Sequence, residues 1–255
     1  MDLALSGKVA IVGGASQGIG YAIAHLLAAE GATVAMVARR EEALHAAVEH
    51  VREDTGSRAL AVPADIRKAE DCTRIVEATA AAFGRVDILV NNDGAPPLGE
   101  LATFDDAAWD KAVQQNLMSV VRLSRHALPL MERAGAGRIV NITALSVLQP
   151  IARFGLSVAT WAGVLGYAKT LSLEVATRGI TVNTICPGRI ATGRLAKVFG
   201  SDDTDLAALV KDIPMQRIGS TDEIAGLVAF LASPYAAYIT GSVFHVDGGR
   251  RAALL

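Results

Sequence analysis

The stretch Lys8-Val9-Ala10-Ile11-Val12, running into Gly13-Gly14-Ala15-Ser16-Gln17-Gly18-Ile19-Gly20, decides how this chain reads. Its first five residues form a short β-type run, and four glycines then lead straight into helical spacing over Ile19–Ala29. Glycines at such a junction let the backbone turn tightly and let a pyrophosphate approach a helix N-terminus, where open N–H groups and the dipole favour an anion. A plain strand–helix turn uses glycine too, and the spacing G-x-x-x-G-x-G differs from the common G-x-G-x-x-G fingerprint. The βαβ pattern that continues beyond favours the phosphate-binding reading.

Outward from this point, short β-branched runs alternate with longer helical segments. Lys8–Val12, Thr33–Ala38, Ala59–Val62, Val86–Asn91, Arg138–Ile142, Thr181–Cys186 and Ser242–Val246 read as strands, and Ile19–Ala29, Glu41–Glu53, Ala69–Phe83 and Ala107–Glu132 as helices. Many of the strand runs are continuously apolar, which suits strands buried on both faces of a parallel sheet. The expectation is an α/β protein with a single Rossmann-type doubly wound parallel sheet of about seven strands, residues 1–255 forming one dinucleotide-binding domain. No Pro/Ser-rich linker, low-complexity tract or short-period repeat divides it. Ligands of open parallel sheets bind beyond the carboxyl ends of the strands, so the loops after Val12, Ala38, Val62, Asn91, Ile142 and Cys186 hold the candidate site residues.

Composition bounds the partners. The 255 residues carry 24 Lys+Arg against 26 Asp+Glu, a net charge of −2, with 51% hydrophobic and 20% charged residues. That balance offers no basic footprint for nucleic acid and no polybasic membrane patch. Cys72 and Cys186 are too few and too far apart for a disulfide framework or a zinc site, so no metal is expected. Neither a secretory leader nor a membrane-spanning run is apparent, and the expected location is the cytoplasm.

The second strand tunes the cofactor. A chain selective for NAD ends this strand with an acid that holds the ribose 2′-hydroxyl. Here Val34-Ala35-Met36-Val37-Ala38 is followed by Arg39-Arg40, whose guanidinium groups suit a 2′-phosphate. NADP(H) is therefore expected over NAD(H).

With these features in place, the whole chain resembles the short-chain dehydrogenase/reductase family, close in pattern to its 3-oxoacyl-carrier-protein reductases. The loop carrying Gly14, Ser16, Gln17, Gly18, Ile19 and Gly20 is similar to the family's T-G-x-x-x-G-I-G, with Gly13 where threonine is usual. Asp65-Ile66 resembles the pair that contacts adenine. Asn91-Asn92-Asp93-Gly94 resembles N-N-A-G, with Asp93 in place of alanine, and marks Asn92 and Gly94 as cofactor contacts. Pro187-Gly188-Arg189-Ile190-Ala191-Thr192 resembles the P-G-x-I-x-T segment over the nicotinamide, and Ile239-Thr240-Gly241 through Val246-Asp247-Gly248-Gly249 the closing strand. The resemblance also implies a small-molecule substrate and a homodimer or homotetramer. Its copies pair through the helix after Asp105, the Phe154–Thr177 helix and the C-terminal strand.

The catalytic set departs from the family. The family's Ser, Tyr and Lys bind the substrate oxygen, move its proton and lower the tyrosine's pKa while holding the ribose. Gly137-Arg138-Ile139-Val140-Asn141-Ile142-Thr143 matches the fifth strand and puts Ala144 at the serine position. Counting back from Thr170–Val175 puts Ser157 at the tyrosine and Trp161 at the lysine. Ser157 lies thirteen positions after Ala144, the spacing expected from the family, so both anchors agree. Only Asn116 matches the fourth member.

Tyr167 and Lys169 lie about three turns beyond Ser157, too far along the helix to substitute, and the resemblance puts His245 on an edge strand. Ser146 reads first as a turn residue and second as a stand-in for the missing serine. Asp93 is either a turn former or an acid or base, and Arg153 and Arg189 either surface residues or anion contacts. Ordinary ketone reduction should be absent or very weak, while an activated alkene or imine needs a protein acid less. Asn116 and Ser157 would then orient the acceptor. The alternatives are a non-redox isomerase, dehydratase or cyclase in the vacated pocket, or an inactive cofactor- or partner-binding protein. If the Trp161 indole blocks the nicotinamide site, no cofactor binds at all.

Overall fold

The computed structural model describes residues 2–94, 96–193, 195 and 206–253. Seven strands, β1 (Val9–Val12), β2 (Thr33–Ala38), β3 (Ala59–Pro63), β4 (Ile88–Asn91), β5 (Gly137–Ile142), β6 (Ile180–Pro187) and β7 (Val243–Val246), form one sheet in the order β3-β2-β1-β4-β5-β6-β7. Every neighbouring pair is parallel. Alternate residues of each strand feed two cores. Ala10 and Val12, Val34 and Met36, and Ile88 and Val90 pack on one face against α1 (Gly18–Ala29) and α2 (Glu41–Thr55). Ile11, Ala35, Val37 and Leu89 face the other, against α3 (Ala69–Phe83), α5 (Ser119–Arg133) and α6 (Gly155–Val175). Both faces are covered, which is why these strands read as unbroken apolar runs.

The expected boundaries shift by one to two residues, as at β4, which begins at Ile88 where Val86 was expected. Asp87 closes that end: its carboxylate accepts from Val9 N at 2.9 Å and from Arg85 Nη2 at 2.6 Å. One correction is larger. The helix expected over Ala107–Glu132 is α4 (Asp106–Ala112), a π-helical segment over Val113–Met118, and then α5. A π turn widens the helix by one residue per turn, and such segments concentrate at functional sites; this one carries Asn116. A last helix, α7 (Thr221–Ala232), starts at a capping box between Ser220 and Glu223.

The chain reverses direction across the sheet between β1 and β4, and the glycine loop sits at that switch point. Asn92 Nδ2 donates to Gly13 O at 3.0 Å, and Gly13 N donates to Val90 O at 3.0 Å. A Cβ at Gly13 would lie 2.5 Å from Asn92 O, and one at Gly20 would lie 2.4 Å from Gly14 O, both backbone atoms. Gly20→Ala is therefore expected to lower stability by about 2 kcal/mol in urea unfolding. Gly166→Ala on α6, where nothing lies within 4 Å of the added carbon, should raise it by roughly 0.5–1 kcal/mol. Equal effects from the two would show that loop contact does not set the cost.

Candidate functional site

A cavity of about 230 Å³ opens at the carboxyl ends of β4, β5 and β6. Asn92 and Asp93 come from the loop after β4, Thr143 to Ser146 from the turn after β5, and Pro187 to Ile190 from the end of β6 and its loop. Ile19 borders it from α1, Phe154 and Trp161 from the start of α6, and Thr192 from the segment that folds over the glycine loop. A Cβ at Gly18 would stand 3.5 Å from Thr192 Cγ2, so that segment lies directly against the loop. A second cavity of about 10 Å³ lies deeper, between Asn91, Asn116, Asn141 and Ile66, and Asn92, Asp93, Ile142, Thr143 and Trp161 border both.

The residues fit a dinucleotide. Helix α1 begins without a side-chain cap and with no acid in its first turn, so its N-terminal N–H groups and dipole are available to a pyrophosphate. Arg39 and Arg40 are exposed beyond β2, and Arg40 Nη2 donates to Gln17 Oε1 at 3.1 Å, which ties that arginine to the loop. Asp65 pairs with Arg67 Nε at 2.8 Å, and hydrogen bonding from that guanidinium holds the Asp65 carboxyl below the usual carboxylate range. Gly94 O accepts from Gln115 Nε2 at 2.6 Å, joining the loop after β4 to the π segment.

The catalytic candidates divide. Asn116 is 1% exposed and its Nδ2 donates to Thr160 Oγ1 at 2.8 Å. Ser157 is equally buried but borders neither cavity. Ala144 and Trp161 are on the main cavity's wall, where Trp161 packs with Val120 and Val164. Arg153 is exposed and off that wall. Arg189 is on it, paired with Asp212, as is Arg250, whose Nε donates to Asp212 Oδ2 at 2.8 Å. Lys169 Nζ instead reaches Gly241 O at 3.3 Å, and His245 sits on the edge strand against Arg251. Ser146, first read as a turn residue, is 2% exposed and borders the main cavity.

A family model described as enoyl-(acyl carrier protein) reductase matches residues 14–251. The 3-oxoacyl-(acyl-carrier-protein) reductase of Vibrio cholerae is 40% identical over 247 residues, which cover 96% of this chain and 98% of that protein. The chain belongs to the short-chain dehydrogenase/reductase family. The Escherichia coli K12 3-oxoacyl-(acyl-carrier-protein) reductase is likewise 40% identical, covering 95% of this chain and 97% of its own. Among solved structures, L-sorbose reductase from Gluconobacter frateurii, complexed with NADPH and L-sorbose, matches with a TM-score of 0.95 at 35% identity, both chains covered in full.

Within this family member, sequence reasoning missed the π segment, the burial of Ser146 and the presence of Arg250 at the cavity. The Arg250-Arg251 pair after Gly248-Gly249 was the available signal for the last. Among the described residues no helix is long and apolar enough to cross a membrane, and no cluster of three or more His, Cys, Asp or Glu is placed to hold a metal.

Cys186 lies beneath the site, its Sγ 3.2 Å from Thr143 Oγ1. Burial pushes the thiols of Cys72 and Cys186 up to about 11, so both stay protonated and unreactive near pH 8. A colorimetric thiol reagent is expected to label neither cysteine in the native protein at that pH and both after unfolding in urea. Labelling of Cys186 in the native state would mean that the cavity floor opens.

Proposed function

We propose that this chain is an NADP(H)-binding oxidoreductase whose catalytic Ser, Tyr and Lys are replaced by Ala144, Ser157 and Trp161, and that it reduces acceptors needing no acid from the protein, an activated alkene foremost. One observation carries this reading: the glycine loop and the uncapped start of α1 adjoin a cavity whose described wall includes no Tyr, Lys or His. Gly14, Ser16, Gln17, Gly18, Ile19 and Gly20 would hold the pyrophosphate. Arg39 and Arg40 would take the 2′-phosphate, Asp65 and Ile66 the adenine, and Asn92, Gly94, Pro187, Gly188, Ile190 and Thr192 the nicotinamide half. The NADPH of the L-sorbose reductase complex supports the same choice of nucleotide.

When bound, NADPH supplies a hydride. The protein's share is to position the acceptor in an apolar chamber that opens to solvent. Reduction of a simple ketone puts negative charge on one oxygen and depends on a positioned acid, worth roughly 10²–10⁴-fold. In an alkene conjugated to a carbonyl that charge is shared between oxygen and carbon, and water delivers the proton. A second reading, non-redox isomerisation or dehydration, is favoured by Asp93, an acidic residue that borders both cavities. Exposed Leu173 on α6 and Val243 on the edge strand support pairing of copies into a homodimer or homotetramer.

Calorimetric titration with NADPH and NADH tests the cofactor. NADPH is expected to bind at least about tenfold tighter, and the double variant Arg39→Ala/Arg40→Ala to erase that difference while leaving NADH nearly unchanged. With cyclohex-2-enone the product should be cyclohexanone, with no further reduction to cyclohexanol. Failure to bind either nucleotide overturns the oxidoreductase reading. Conversion of substrate with no loss of NADPH absorbance favours the non-redox one.

A further inference from the structure

We infer that the main cavity takes an acceptor bearing an unesterified carboxylate, and that Arg250 is the specificity residue that recognises it; this names the substrate class of the site and rests on the reading just given. The charged residues on the described wall are Asp93, Arg189 and Arg250. Asp93 follows β4, two strands away from β6, and borders the inner cavity too, which neither arginine does. Arg250 therefore marks a cationic end of the chamber. Its side chain is only 12% exposed, and its ion-pair partner Asp212 also serves Arg189, so that carboxylate neutralises Arg250 only in part. Arg250 gives Nε to Asp212 Oδ2 at 2.8 Å. Its two NH₂ groups make no hydrogen bond among the described residues, and neither is sealed from solvent. A planar fork with both outer nitrogens unspent matches the two oxygens of a carboxylate.

Backbone contacts hold that fork in place. Arg250 follows the turn Asp247-Gly248-Gly249, in which both glycines have positive φ, +66° and +84°. Met215 N donates to Gly248 O at 3.1 Å, and Gly188 N to Val246 O at 2.9 Å. A Cβ at Gly248 would stand 2.7 Å from Ile213 Cγ2, and one at Gly188 2.8 Å from Asp247 Cα. The turn is thus wedged between the end of β6 and the Ile213–Met215 segment. Neighbouring Arg251 is off the wall and turns its Nη1 to His245 at 2.8 Å. Elsewhere the wall offers Leu145, Ile151, Phe154 and Trp161, which suit an apolar or conjugated body. A ligand that fills both parts carries its acid group at one end. A neutral acceptor packs on the apolar side and leaves the guanidinium without its second anion.

The test compares 4-oxocyclohex-2-ene-1-carboxylate with its methyl ester by ligand-observed NMR titration, on the nucleotide-free protein and again with NADP⁺. Wild type is expected to bind the acid at least about tenfold tighter than the ester. Arg250→Gln should bring that ratio close to one while changing ester affinity and NADPH affinity by no more than about twofold. Arg250→Lys, which keeps the charge and loses the fork, should retain part of the preference. Arg153→Gln, exposed and off the wall, should leave it intact. A wild-type ratio of one or below, a ratio that Arg250→Gln leaves unchanged, or an equal fall in Arg153→Gln would each overturn the inference. So would a loss of NADPH binding in Arg250→Gln with the ratio preserved, which would place the arginine on the nucleotide. The wild-type comparison needs no variant to fold, and its nucleotide-free arm keeps a failed NADPH titration and a failed carboxylate preference as separate outcomes.

Discussion

The contact between the end of β4 and the glycine loop after β1 fixes the rest of the site. Asn92 reaches back to Gly13 O at 3.0 Å, and the loop is squeezed between that residue and the first turn of α1 so closely that a Cβ at Gly13 or Gly20 would overlap backbone. Because the loop cannot shift, the start of α1 is held at the switch point of the sheet, where its dipole acts on whatever enters. The segment from Pro187 to Thr192 then packs onto the loop from the other side. The cavity is the space left between these fixed parts, so its shape depends on backbone placement more than on any one side chain.

This explains why so much was legible in the sequence. Strands buried on both faces need apolar residues at nearly every position, so β1 and β2 stand out as continuous runs, and the loops that follow inherit their places from the sheet. The glycines were legible for the same reason, since few residues other than glycine fit so close to backbone. The π segment was not legible. Widening a helix by one residue leaves Val113 to Met118 composed of ordinary helix formers, and periodicity over so short a span does not distinguish the two geometries. Ser146 lies in a turn as expected, but its burial was not legible, because a three-residue turn has no periodicity from which burial can be read. Arg250 reaches the cavity through tertiary folding of the C-terminal chain: Asp247 Oδ2 accepts from Arg251 N at 2.9 Å, and Gln149 Oε1 from Ala252 N at 3.2 Å. The Arg250-Arg251 pair marks the place in the sequence but does not show that the chain returns to the cavity.

Polarity is distributed unevenly across the site. Asn91, Asn116 and Asn141 are at most 5% exposed, and they line the inner cavity, which is about the size of one water. Asn91 Nδ2 donates to Asn141 Oδ1 at 2.8 Å, while Asn91 Oδ1, Asn116 Oδ1 and Asn141 Nδ2 have no partner among the described residues. The outer cavity is mostly apolar on the side of α6. Trp161 borders both.

That arrangement bears on the proton. A relay requires groups that both accept and donate, and each must reach the next. Within the asparagine cluster the hydrogen bonds run from Asn91 to Asn141 and from Asn116 to Thr160. The indole of Trp161 offers no onward step, because its N–H donates only and its ring neither accepts nor titrates. A lysine or tyrosine in its place would carry the route outward. On the α6 side Trp161 borders both cavities, and Asn92, Asp93 and Thr143 border both from the ends of β4 and β5. The proposed reduction must therefore generate little basicity at the reacting atom or take its proton from solvent at the mouth. An acceptor whose charge spreads over a conjugated system meets the first condition.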